Sequence, residues 1–256
     1  MLIALISDVH GNLEALETVL KRIRELKPDA TICLGDVVGY GPDPNETTRI
    51  CSQVADISVL GNHDYAIIRL WNNPKERRKI LDRFNPIPRR AIQWTLNAVD
   101  EETVSILART GLEIFWKDLH IVHASPGFPL DWTYIFTVDE ARMFIPYVKG
   151  WAALVGHTHV PAIFTRTIRG LIHVKPRPSE DYTLSMDDIH ILNPGGVGQP
   201  RDGDPRASLG VLKILPSKRE ALFRVERLEY PIDITAEKIR KAGLPEELAT
   251  RLYIGR

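Results

Sequence analysis

Five short apolar runs, each cut off by a polar cluster, constrain this chain more than any other feature. Leu2 to Ile6 runs into Ser7-Asp8-Val9-His10, and Thr31 to Leu34 into Gly35-Asp36. Ile57 to Leu60 ends at Gly61-Asn62-His63-Asp64, Leu119 to Val122 at His123-Ala124-Ser125, and Ala152 to Val155 at Gly156-His157-Thr158-His159. Unbroken apolar runs of this length mark strands buried on both faces. Glycines 11, 35, 61 and 156 fall where the backbone must turn tightly. Open α/β sheets bind ligands at the carboxyl ends of their strands. The polar clusters therefore have a physical reason to converge.

Between the first two runs, Leu13, Leu16, Leu20, Ile23 and Leu26 recur at helical spacing, with Asn12 as cap and Pro28 as stop. The opening reads as a β-α-β unit. A helix is expected over 46–52. The stretch 65–107 reads as helical with breaks at Pro74 and Pro88, the latter opening a helix to about Ala98. Residues 113–116 and 119–122 form an expected strand pair, and 138–148 a helix. Short strands follow at 162–165, 171–174, 189–192, 209–214 and 222–227. Residues 175–188 are polar and carry prolines, which suggests an exposed loop or loose hairpin. Helices near 236–241 and 246–252 close the chain. With no repeat or linker in view, residues 1–256 are expected to form a single α/β domain, two sheets sandwiched between helices.

Lys and Arg together number 33, as do Asp and Glu, so the formal net charge is zero. That balance argues against a long nucleic acid as partner, whose binders are strongly basic. Two cysteines, Cys33 and Cys51, cannot build a disulfide scaffold. The opening apolar run has no basic segment before it and is too short for a signal core. No run approaches the ~18 apolar residues of a membrane span. A cytoplasmic protein is the resulting expectation.

Each polar cluster alone is weak evidence. Asp-x-His and His-x-His place two ligands on one side of an extended stretch, yet such spacings arise by chance. Asp36 alone could cap a turn, and His123 alone could be a core histidine. Together, carboxylate, imidazole and amide groups behind five strands point to a metal site. The set Asp8-x-His10, Gly35-Asp36, Gly61-Asn62-His63-Asp64, His123 and Gly156-His157-x-His159 resembles the calcineurin-like metallophosphoesterases over positions 8–159. Asn193-Pro194-Gly195-Gly196 is similar to the Asn-Pro-Gly-Ser turn of the small bacterial and archaeal phosphodiesterase branch, with Gly196 in place of Ser.

The resemblance implies two divalent ions, with Asp8, His10 and His159 on one, Asn62, His123 and His157 on the other, and Asp36 bridging. The donor chemistry agrees with Mn, Zn or Fe rather than Mg or Ca, and Mn is the first expectation. The resemblance also implies hydrolysis of a phosphate ester by hydroxide, with His63 giving a proton to the leaving oxygen. In the phosphoprotein phosphatases the Gly-Asp motif continues to an Asp and an Arg. Here it reads Gly35-Asp36-Val37-Val38-Gly39-Tyr40-Gly41, and Leu60 rather than Arg precedes Gly61. A phosphodiester or small phosphorylated molecule is therefore favoured over a phosphoprotein. Phosphomonoesterase or phosphoprotein phosphatase activity is the alternative, as are a nuclease acting on short oligonucleotides and a non-catalytic protein-binding scaffold.

Three residues are candidates for substrate contact. Tyr40 could meet a substrate base or ester group, or its Gly-Pro loop could simply shape a turn. Arg201 and Arg206 lie in a dense turn at 199–206 and could meet phosphate, or face solvent. For Trp132, Tyr134 and Phe136, core packing is favoured over a role capping the cleft. The pairs Arg77-Arg78 and Arg89-Arg90 read as helix surface.

Overall fold

The first apolar run forms strand β1 (Leu2–Ile6), and its two faces enter different cores. Ile3 and Leu5 pack with Leu119, Ile121, Leu154 and Leu192, whereas Ala4 and Ile6 pack with Leu16, Val19, Leu20 and Ile23 of helix α1 (Leu13–Leu26). A pleated strand alternates its side chains, so a strand covered on both sides has no room for polar residues. Asn12 caps α1, its Oδ1 accepting the Ala15 N–H at 3.1 Å.

The computed structural model describes residues 1–82 and 84–256. The remaining strands are β2 (Ala30–Cys33), β3 (Ile57–Ser58), β4 (Glu113–Trp116), β5 (Leu119–Val122), β6 (Ala152–Leu154), β7 (Ala162–Thr167), β8 (Gly170–Val174), β9 (Tyr182–Ser185), β10 (Ile189–Asn193), β11 (Ala207–Leu215) and β12 (Glu220–Leu228). They form two mixed six-stranded sheets, ordered β3-β2-β1-β11-β12-β9 and β4-β5-β6-β10-β7-β8. One apolar layer, including Leu212 and Phe223, lies between the sheets. The helices are α2 (Pro44–Val54), α3 (Asn62–Asn72), α4 (Arg77–Leu81), α5 (Pro86–Ala98), α6 (Glu101–Ala108), α7 (Val138–Phe144), α8 (Ile232–Lys241) and α9 (Glu246–Thr250). α7 covers the outer face of the second sheet through Phe144. α8 and α9 pack together with the ring of Tyr40.

Several elements differ from the sequence expectation. The helical stretch 65–107 divides into four helices and a 3₁₀ turn at Pro74–Glu76, and position 83 within it lies outside the described residues. α5 opens at Pro86 rather than Pro88. The third run yields only two strand residues, with Val59 making an isolated bridge to Gly111. The helix expected to reach 148 tightens to 3₁₀ at Ile145–Tyr147, where Pro146 has no N–H to donate. Within 175–188, β9 pairs with β12 from Glu220↔Ser185 to Phe223↔Tyr182. Polar composition hid that strand because it is an edge with one face to solvent.

The loops after the strands are stitched to one another. The Asp8 N–H donates to Gly35 O (3.0 Å), His10 N–H to Asp36 O (2.9 Å), and Gly156 N–H to His123 O (2.8 Å). A Cβ on Gly61 would stand 2.0 Å from Asp36 Oδ1, and one on Gly156 1.9 Å from Ser7 Oγ, so neither position admits a side chain. Asp64, in the first turn of α3, is the peg between two loops. Its Oδ1 accepts from Val37 and Val38 (3.0 and 3.1 Å), and its Oδ2 from Gly61 (3.1 Å). Asp64→Ala strips these buried donors of their acceptor. It is expected to lower the unfolding free energy of the metal-free protein by about 2–4 kcal/mol in urea titration. A loss below about 0.5 kcal/mol, the range of ordinary surface substitutions, would show that the loops hold without this peg.

Candidate metal centre

The strand ends bring three overlapping groups of donors together. Asp8, His10 and His159 offer ligand atoms all within 4.8 Å of one another, as do Asp36, His123 and His157, and as do His10, Asp36 and His63. Asp36 Oδ2 lies 3.6 Å from His10 Nε2 and 3.4 Å from His123 Nε2, between the first two groups. Asp8 Oδ1 is 3.3 Å from His159 Nε2 and 3.9 Å from His10 Nε2. All these side chains are buried.

Four of the five imidazoles, all but His63, are oriented by a backbone carbonyl. His10 Nδ1–H donates to Val38 O (3.0 Å), His123 Nδ1–H to Leu34 O (2.6 Å) and His159 Nδ1–H to Gln199 O (2.6 Å). This leaves Nε2 of each facing the cluster. His157 is reversed: its Nε2–H donates to Trp132 O (2.8 Å), so Nδ1 is its free nitrogen. A partner on the far ring nitrogen fixes tautomer and angle, as metal-ligating histidines require. The carboxylates are arranged likewise. Asp8 Oδ2 accepts from Ser7 Oγ (2.7 Å) and His157 N–H (3.2 Å), and Asp36 Oδ1 accepts from His63 N–H (2.8 Å).

The atoms left over test whether metal fits here. Asp8 Oδ1, Asn62 Oδ1 and His123 Nε2 are buried without a hydrogen-bond partner. His10 Nε2 and His159 Nε2 face each other at 3.2 Å. Buried polar atoms seldom remain unsatisfied, and lone pairs converging from several directions require a cation. Carboxylate, imidazole and one amide suit a borderline divalent ion, so the residues fit a pair of such ions.

Electrostatics describe the same point. Burial pushes the Asp36 carboxyl up, but His123, His63 and His10 outweigh it and hold Asp36 well below the usual carboxylate range. Burial opposes charge on His123, yet Asp36 and Asp8 raise it to about 9. Burial, with Asp36 beside it, raises Asp8 to about 6 although His123 opposes this. Burial lowers His63 to about 4 and His157 to about 3, and keeps His10 and His159 well below normal. Four neutral imidazoles around an ionised carboxylate are the states a metal needs, and His123 must give up its proton to join them.

Five of these side chains sit on left-handed backbone: Asp8 (φ 53°), His10 (49°), Asp36 (52°), His157 (64°) and His159 (59°). Such conformations cost non-glycine residues of order 1–3 kcal/mol each and collect at functional sites. The loop bonds above over-determine them.

The candidate substrate residues divide. Tyr40 (φ 60°) packs its ring 4.5 Å from both His10 and His63. Arg201 lies over the Tyr40 ring at 5.6 Å, and its charge acts on Asp8, His10, His63 and His159. Arg206 is engaged by Asp204 through Nε (2.9 Å) and Nη2 (2.7 Å), with its side chain 40% exposed. Gly196 backs directly onto His159, where a Cβ would lie 3.2 Å from His159 Cβ. In the same turn, Asn193 Nδ2 donates to Gly156 O (2.6 Å) and so braces the His157 loop.

The aromatic cluster is not core: Trp132 is half-buried, and the two rings that follow it face outward. Tyr134 and Phe136 are 41% and 45% exposed, Tyr134 stacks on His157 at 4.1 Å, and Trp132 supplies the carbonyl that orients His157. Sequence could not have revealed that carbonyl, since any residue carries one. The other three histidines stand apart: His120 pairs with Glu113 (2.6 Å), His190 with Thr165 (2.9 Å), and His173 stacks on Phe164.

The raised His123 sets a pH dependence for metal uptake. Below pH 9 its ring is protonated in the metal-free protein, and a metal must displace that proton. Apparent affinity should therefore rise about tenfold per pH unit between pH 6.5 and 8.5. Calorimetric titration with Mn(II) across that range, with buffers of different ionisation enthalpy to count released protons, checks this. A flat profile with no proton release would contradict it.

Residues 1–161 match the family described as calcineurin-like phosphoesterase. Over its whole length the chain is 35% identical to "Uncharacterized protein MJ0912" of Methanocaldococcus jannaschii, covering 98% of it. It superposes on the crystal structure of a metallophosphoesterase from Sphaerobacter thermophilus with a TM-score of 0.83, at 39% identity, covering 100% of this chain and 99% of that one. It is also 29% identical over 147 residues to a symmetrical bis(5'-nucleosyl)-tetraphosphatase of Pseudomonas putida (strain GB-1), a match covering 53% of this chain and 48% of that protein. The chain belongs to the calcineurin-like phosphoesterases, a family of dinuclear-metal-dependent phosphoric ester hydrolases.

Proposed function

We propose that this chain is a phosphodiesterase that works with two divalent ions and uses His63 to protonate the leaving oxygen. Asp8, His10 and His159 hold one ion, Asn62, His123 and His157 the other, and Asp36 both. Mn is the favoured metal, with Zn or Fe as alternatives. Residues 1–256 act as one domain, which the shared core between the sheets supports. The two free, buried thiols Cys33 and Cys51 suit a reducing cytoplasmic setting.

The observation that carries the diester reading is the cationic poverty of the centre. A monoester carries about two negative charges near neutrality, a diester one. Leu60 and the Gly39-Tyr40-Gly41 loop stand where the phosphatase branch has arginines and an aspartate, and the nearby guanidinium is that of Arg201. Tyr40 supplies an aromatic wall instead of a bidentate clamp.

When bound, the ions supply an acidified water and positive charge for the phosphoryl oxygens. The chain does the rest. Asp36 sets the spacing of the two donor groups. His63 brings a ring nitrogen within 4.8 Å of the His10 and Asp36 donors, its buried Nδ1 has no partner, and its ring is wedged between Tyr40 (4.5 Å) and His10 (4.9 Å). Burial keeps that ring neutral when no substrate is present, so the anionic ester must bring the proton's stabilisation with it. Arg201 adds one positive charge on the side facing Tyr40.

Two measurements test this. With Mn(II) loaded, kcat/KM should be higher for an aryl phosphodiester than for the matching monoester. A reversed ranking would move the chain to the monoesterase reading, and inactivity on both with two ions bound would favour the scaffold. Second, His63→Ala should keep both ions while kcat on an alkyl diester falls by ~10²–10⁴-fold. The loss should be smaller for a nitrophenyl diester, whose oxyanion leaves without help. Equal losses on both would reassign His63 to stabilising phosphoryl charge, and loss of metal would make it a ligand.

A further inference from the structure

A cavity of about 390 Å³ opens beside the metal centre. Thr158, the residue between His157 and His159, forms part of its wall, and Val160 and Pro161 continue it. Arg201, Lys175 and Phe136 also line it, as does Asp202, whose carboxylate is taken up by Arg227. The volume falls in the range of small-ligand pockets, ~300–1,000 Å³.

Two independent features say what the cavity takes. The first is charge. Among the described residues, neither Arg201 nor Lys175 has a carboxylate partner. The side-chain hydrogen bond of Arg201 goes to Gln199 Oε1 (2.9 Å), and its Nε is buried without a partner. Two other arginines of this region are paired: Arg206 with Asp204 and Arg227 with Asp202. Two unpaired cations in the lining of one cavity invite anionic oxygens. The second is a row of rings. Tyr134 lies on His157 at 4.1 Å and 12°, and Phe136 on Tyr134 at 5.4 Å and 16°. The row leads from a centre histidine to the cavity and ends in Phe136, which is 45% exposed. A flat ring held by packing is a platform for another flat ring.

We propose that this cavity binds a nucleoside phosphate, as the half of the substrate beyond the scissile bond, with its base on Phe136 and its anionic oxygens between Arg201 and Lys175. The proposal rests on the phosphodiesterase reading for its catalytic meaning and adds the substrate class. A sugar phosphate would leave the ring platform unused, and an apolar leaving group would strand the two cations.

The test separates binding from catalysis. Metal-free protein is titrated calorimetrically with adenosine 5'-diphosphate, adenosine and inorganic pyrophosphate at low salt. The diphosphate should bind at least tenfold more tightly than either of the others, because only it has both ring and anion. Phe136→Ala and Lys175→Glu, both at exposed positions, should each weaken it at least fivefold. In the Mn(II)-loaded enzyme, the kcat/KM ratio of a nucleotidyl diester over a methyl aryl diester should fall at least fivefold in each variant. Pyrophosphate binding as tightly as the nucleotide, or variants that bind it like the parent, would overturn the proposal. If diesters are hydrolysed in that case, the proposed function stands without this pocket. If the nucleotide binds as stated and no diester is hydrolysed, the pocket stands and the phosphodiesterase reading falls.

Discussion

Everything near the site is arranged around one buried carboxylate, Asp36. It is removed from water and ionised, and no lysine or arginine pairs with it among the described residues. Stranding such a charge costs several kcal/mol. In the metal-free chain His123, raised to about 9, supplies the compensation as an imidazolium. A bound cation makes the same compensation without that proton. The requirement explains the glycines as well: Asp36 Oδ1 sits so close to Gly61 that no side chain could stand there. It also explains why the His63 backbone N–H, at the start of α3, is aimed at the same oxygen.

A second consequence concerns strain. Left-handed backbone at Asp8, His10, Asp36, His157 and His159 would relax if the loops were free. They are not free, because each follows a strand buried on both faces and is bonded to the next loop. The two sheets thus act as a rigid frame that spends part of its stability on donor geometry. The Asn193 turn belongs to this frame, since from the end of β10, the strand beside β6, it holds the Gly156 carbonyl. Gly196 fits there because its α-carbon lies flat against His159, leaving little room for a side chain.

What could be read from the sequence follows from the same physics. Apolar runs with polar clusters behind them give both the strands and the ligand positions, because burial on two faces and chemistry at the carboxyl end are imprinted locally. β9 left no such imprint, being a solvent-facing edge that β12 recruits across a long separation. The carbonyls of Val38, Leu34, Gln199 and Trp132, which aim four histidines, are invisible in principle. The two arginines of the 199–206 turn look equivalent in sequence. Only the fold shows that Asp204 occupies Arg206 while Arg201 stays unpaired.

The aromatic cluster marks the boundary between frame and recognition. Base rates assign Tyr134 and Phe136 to a core, yet Ile135 alone of the three consecutive residues goes inward, at 4% exposure. In an extended segment, neighbours of a buried residue point outward together. One apolar anchor therefore holds two rings on the solvent side, and His157 gives them a fixed surface to stack on. The metal centre cannot vary without losing Asp36's compensation. The rings and the two unpaired cations of the cavity carry no such constraint. A fold built this way can hold its chemistry constant while the wall beyond Thr158, in the reading proposed above, selects the ester.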